Sequence, residues 1–228
     1  MHHFTVYEIP YPKMRLGRIF DGGYVFAQLP ITYNLFLSLG TQCRPKFEDH
    51  FTNMHKMKGI LVADRPRLRS DDVLFFRNTV SSRNERGHVN MYSYIKAHSQ
   101  TFLKIDLNGG EWNWLEHLPP NHIDNVQQLV INVKGLNRRA KRRDDIIKKL
   151  FETHRCINVN PDNRYSSHNH KIHGFICPNR MAMTWVHRRW FEDTIENHMP
   201  IPKNLDRRMD PNKPHFRITW PPFCYEDF

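Results

Sequence analysis

The sequence predicts an α/β domain with a mostly parallel sheet and helices on both faces. Three observations lead there. Seven short apolar runs, each about the length of a buried strand, punctuate the chain at 34–39, 59–63, 73–76, 101–105, 128–133, 155–159 and 181–186. Stretches with helical patterning lie between several of them, and that alternation is the pattern of parallel strands joined by crossovers. The 228 residues suffice for one substantial core. A single domain over 1–228 is therefore expected, with its body at about 13–198 and a Pro-rich extension at 199–228.

Each element follows from local chemistry. Near the start, Asp21-Gly22-Gly23-Tyr24 reads as the tight turn of a hairpin. The first apolar run ends in Leu37-Ser38-Leu39-Gly40-Thr41, where glycine permits a sharp turn and a close approach to main-chain N–H groups. Helices are predicted at 45–57, 89–98, 111–118 and 142–154, the last placing Ile146, Ile147, Leu150 and Phe151 on one face. The strand at 59–63 is closed by Asp64, that at 101–105 by Asp106 and that at 128–133 by Lys134. Past 199 an extended tail is expected, packed on the body through Phe216, Ile218 and Trp220.

Composition narrows the function classes. Hydrophobic residues make up 39% and aromatics 12%, so disordered and collagen-like chains are disfavoured. No window approaches the roughly 20 apolar residues of a membrane helix, and the N-terminus lacks the basic then apolar order of a signal peptide. The expectation is an intracellular protein, in the cytoplasm, with the nucleus as the alternative. Cys43, Cys156, Cys177 and Cys224 stand singly, which indicates reduced thiols rather than a zinc site or a disulfide framework. The net charge of +11 admits a polyanionic partner such as RNA.

In open α/β sheets, ligands sit beyond the carboxyl ends of the strands. Chemistry is therefore sought at Gly40, Thr41, Asp64, Asp106 and Lys134. Asp64 follows the first strand at the distance of an acid that binds a ribose hydroxyl, and a solvated turn acid explains it equally well. Asp106 would face the ligand crevice, whereas Glu111 suits a helix cap. Arg138, Arg139, Lys141, Arg142 and Arg143 could grip phosphates or serve as a nuclear-import signal, although a solvated loop is the commoner explanation. His168, His170 and His173 form H-x-H-x-x-H without a nearby acid or cysteine, so no metal site is assigned.

The strings RLGRIFDGGYVF, NLFLSLGTQ, KFEDHF, ILVADR, VLFFRN, FLKIDLNGGEWNWL, MAMTWVHRR and PIPKNLDRRMDPNKP together resemble an FkbM-related, methyltransferase-like family marked by a DGGY motif. The resemblance runs from about Lys13 to Pro214, and its most specific parts are DGGY and GGEW. It implies a Rossmann-like class I methyltransferase sheet that binds S-adenosylmethionine. Gly40 and Thr41 then correspond to the first cofactor turn, Asp64 to the ribose acid and Asp106 to the acid after the fourth strand. Asp21, Gly22, Gly23, Tyr24 and Glu111 belong to the family signature.

Two departures stand out. Leu107-Asn108-Gly109 replaces an Ile-Glu-Gly, and Asn132-Val133-Lys134 replaces a Glu-x-His, so acids are lost and a cation is gained. The reading is an S-adenosylmethionine-dependent methyltransferase of unknown acceptor, with Asp106 and Lys134 as the catalytic candidates. Two alternatives stand beside it: a weakened, methyltransferase-like pseudoenzyme acting as a binding module, and an RNA ribose 2′-O-methyltransferase or RNA-binding domain.

Overall fold

In Leu35–Leu39 the side chains alternate, so that Leu35, Leu37 and Leu39 face one way and Phe36 and Ser38 the other, and all five are buried. A strand covered on both faces belongs in the middle of a sheet. The computed structural model, which describes residues 2–20, 22–40, 46–64, 71–136, 140–164, 169–172, 175–191 and 195–225, places it there.

Seven strands form the main sheet: β1 (Leu35–Leu39), β2 (Gly59–Val62), β3 (Val73–Phe76), β4 (Thr101–Ile105), β5 (Val126–Lys134), β6 (His154–Pro161) and β7 (Arg180–His187). Their order is β6-β7-β5-β4-β1-β2-β3. Pairing is parallel from β3 through β5 and antiparallel on both sides of β7. Outside this sheet, Lys13–Gly17 and Gly23–Ala27 form an antiparallel hairpin, and Asn169–Ile172 with Phe175–Pro178 another.

The described residues contain five α-helices: α1 (Lys46–His55), α2 (Tyr92–Ala97), α3 (Glu111–His117), α4 (Pro120–Ile123) and α5 (Ala140–Thr153). One face of the sheet, through Leu37, Leu103 and Ile131, packs on Tyr92 and Ile95 of α2, Trp114 and Leu115 of α3, Ile123 of α4, and Ile146, Ile147 and Leu150 of α5. The opposite face, through Phe36, Phe102, Val130 and Ala182, packs on α1 by Phe47 and Phe51 and on the N-terminal hairpin by Tyr24 and Phe26. Full burial of each such side chain contributes about 1.5–3 kcal/mol.

The expected Rossmann-like class I methyltransferase sheet, mostly parallel with helices on both faces, is therefore corrected. The sheet is mixed, with an antiparallel second half. The cause is local: the described residues between β6 and β7 pair as Asn169–Ile172 with Phe175–Pro178 and form no crossover helix, so the chain re-enters from the edge it left. Among the described residues the second face carries a single α-helix, α1, because the N-terminal hairpin occupies the rest of it.

α1 shows how the sequence ends an element. Lys56 adopts φ +48° and donates its N–H to Asn53 O, while Met57 N–H reaches Thr52 O at 3.1 Å, the two bonds of a Schellman close. In the C-terminal segment Ile201 pairs with Ile218, which is fully buried, and Phe216 and Trp220 pack against the first core. No helix among the described residues is long and apolar enough to cross a membrane.

Candidate functional site

The parallel ladder continues one residue past the strands and ties their carboxyl ends together. Gly40 N–H donates to Val62 O at 2.8 Å, and Asp106 N–H donates to Leu39 O at 2.9 Å. Gly40, Asp64 and Asp106 thus lie at the same edge, at the ends of neighbouring strands β1, β2 and β4. Gly40 has φ +80°, and a Cβ there would stand 2.4 Å from Leu107 Cδ2 and 2.7 Å from Asp106 O. Only glycine allows the two chain turns to touch.

Asp64 is exposed, and among the described residues no donor lies within hydrogen-bonding distance of its carboxylate. Asp106 is held on both sides. Tyr24 Oη donates to its Oδ2 at 3.3 Å, and Asn132 Nδ2 to its Oδ1 at 3.3 Å. Tyr24 reaches it from the hairpin, whose turn requires Gly23: a Cβ there would sit 2.2 Å from Arg18 O. The tip is fastened by Arg15, whose Nη2 donates to the carbonyls of Arg18, Ile19 and Phe20.

Beneath Tyr24 lies a pair that the sequence reading missed. Lys104 Nζ donates to Glu48 Oε1 at 2.7 Å with both side chains almost completely buried, and Ser38 Oγ donates to the same oxygen at 2.7 Å. The ammonium also stands 5.2 Å from the centre of the Tyr24 ring. A lysine inside the apolar strand Thr101–Ile105, and an acid beside Phe47 on the apolar face of α1, were the available signals.

Glu111 has the structural role. Its carboxylate accepts Gly109 N–H at 2.8 Å and Lys134 N–H at 2.6 Å, locking the turn after β4 to the end of β5. Burial raises its pKa above the usual carboxylate value, and those two backbone donors oppose the rise. The Lys134 ammonium donates to Asn108 Oδ1, and Trp112 Nε1 donates to Lys134 O at 2.7 Å.

Next to this turn opens a recess of about 400 Å³, with Asn108, Trp112, Lys134, Arg142, Arg143 and Arg180 among its lining residues. Arg142 also binds Glu116 and Asn113, while Arg143 is buried and spent on Leu136 O and Asp144. Lys141 is exposed.

Asp21, Thr41, Cys43, Arg138, Arg139, His168 and His173 lie outside the described residues, as does the side chain of His170. Cys156, Cys177 and Cys224 are buried, and burial pushes the Cys156 and Cys177 thiols up to about 12. No protein-family model and no curated protein matches this sequence.

Proposed function

We propose that the carboxyl edge of β1, β2 and β4 binds S-adenosylmethionine and that the protein transfers its methyl group to an acceptor held beside Asp106. The observation that carries this reading is the juxtaposition of Gly40, Asp64 and Asp106 on three neighbouring parallel strands. Such a ligand brings a ribose diol and a cationic sulfonium, and it calls for an open carboxylate with a second acid close by. The exposed Asp64 carboxylate fits the diol. Asp106, fixed by Tyr24 and Asn132, would supply negative charge near the sulfonium.

When bound, the cofactor supplies an electrophilic methyl group with a good leaving group. The chain's contribution is orientation, which alone removes several kcal/mol of barrier. Asp106 with both oxygens engaged is suited to positioning. The acceptor is accordingly one whose nucleophile needs little deprotonation.

A different observation favours a binding module without turnover. Asn108 and Asn132 beside Asp106 are neutral, and the Lys134 ammonium is turned onto Asn108. Titration calorimetry with S-adenosylhomocysteine tests the cofactor reading. Binding is expected, and Asp64→Ala should weaken it by about 1–3 kcal/mol, the cost of leaving the diol unpaired. The melting temperature of the free protein should stay unchanged, while saturating ligand should raise it for the wild type by mass action. Absence of both a heat of binding and a rise in melting temperature at saturating ligand would contradict the cofactor reading in favour of the binding module.

A further inference from the structure

We infer that the recess beside Lys134 is an anion site that holds the phosphate group of a small phosphorylated acceptor. Lys134 and Arg180 are direct partners across the β5–β7 pairing, and both line the recess. An anion between them would take charge-assisted hydrogen bonds from both. Arg142 and Arg143, behind them, are already paired with Glu116 and Asp144, so the attraction comes from Lys134 and Arg180. Among the described residues no carboxylate lines the recess, and none forms an ion pair with the Lys134 ammonium.

The remaining walls suit the same ligand. Asn108 and Asn113 offer neutral hydrogen-bonding groups, and the Trp112 indole offers a flat surface for a ring. About 400 Å³ is the size of one small molecule, whereas a nucleic acid strand needs a track of cations along its backbone. The recess begins two residues beyond Asp106, at Asn108, and two beyond Asn132, at Lys134. An acceptor anchored there by its anion would extend its other end toward Asp106, a placement that rests on the methyl-transfer reading. The anion site itself does not depend on that reading.

Calorimetric titration of the full chain with pyrophosphate, in low salt and with or without saturating S-adenosylhomocysteine, tests the inference. Pyrophosphate should bind in both conditions. Arg180→Gln should weaken it at least tenfold while leaving the affinity for S-adenosylhomocysteine unchanged. Lys134→Gln, judged folded by near-ultraviolet circular dichroism, provides a second variant with the same expected loss. Undetectable pyrophosphate binding at millimolar concentration, or equal binding by wild type and both variants, would overturn the anion site. Tighter binding of a single-stranded RNA oligomer than of pyrophosphate, lost in the same variants and falling steeply with salt, would replace the small acceptor by a polymer. Loss of S-adenosylhomocysteine binding alone would remove the methyl-transfer reading and leave the anion site standing.

Discussion

Glu48 and Lys104 carry opposite charges in a site from which water is almost wholly excluded. Burying one ion alone costs several kcal/mol, and the pair persists because Ser38 and the Tyr24 ring help to compensate it. Removing only one partner is therefore the damaging change. Glu48→Ala should cost about 3–5 kcal/mol in urea unfolding, because it leaves the Lys104 ammonium uncompensated. The double variant Glu48→Met with Lys104→Met should recover most of that loss; a double variant as unstable as Glu48→Ala would show packing to be responsible. These contacts escape a sequence reading because they join residues 56 apart, whereas Gly40, Asp64 and Asp106 declare themselves as the first polar or flexible residues after apolar runs. The link from Tyr24 to Asp106, across 82 residues, is likewise invisible until the hairpin is seated on the sheet.

The β6 and β7 strands show where element-level inference stops. Both are buried on two faces, so their apolar runs identify them as strands. Direction is not written in such a run. It is set by the connection, and 162–179 lacks the helical spacing that a parallel return requires. The amino end of β6 meets the carboxyl end of β7 at a histidine pair, with ring centres 5.1 Å apart. His154 Nε2–H donates to Val126 O at 2.7 Å, and its Nδ1 lies 2.7 Å from the Thr153 hydroxyl. Full burial, with the neighbouring His187 adding to it, holds its pKa down at about 3 against an ordinary 6.5. Between those values the unfolded chain takes up a proton that the native ring refuses, so this stability is present above pH 6.5 and is lost as pH falls. The slope is about 1.4 kcal/mol per pH unit, or about 2 kcal/mol between pH 6.5 and 5. Urea unfolding at pH 7.5 and 5.0 should therefore show a larger acid loss for the wild type than for His154→Gln, by about that amount; equal losses would mean the ring is protonated in the native protein.

At the scale of the whole molecule, two kinds of surface meet along one edge of the sheet. Over β1, β2 and β4 lie acids, Asp64 exposed and Asp106 half-buried; over β5 and β7 lie the cations Lys134 and Arg180. A donor that carries positive charge at its reacting centre suits the first surface, and an acceptor that carries an anion suits the second. Charge is thus sorted along the edge in a way that a net value of +11 conceals. Arg180 enters from a strand 46 positions after Lys134, so only the antiparallel return of β7 brings the two cations together. The basic run at 138–143 drew attention in the sequence, yet Arg143 is buried and Arg142 is tied to Glu116. A crystal structure of the protein soaked with S-adenosylhomocysteine is the most direct measurement. The ribose diol should lie on the Asp64 carboxylate, with the sulfur on the Asp106 side of Gly40; a ligand bound elsewhere, or its absence at saturating concentration, would contradict the assignment of this edge to a nucleoside cofactor.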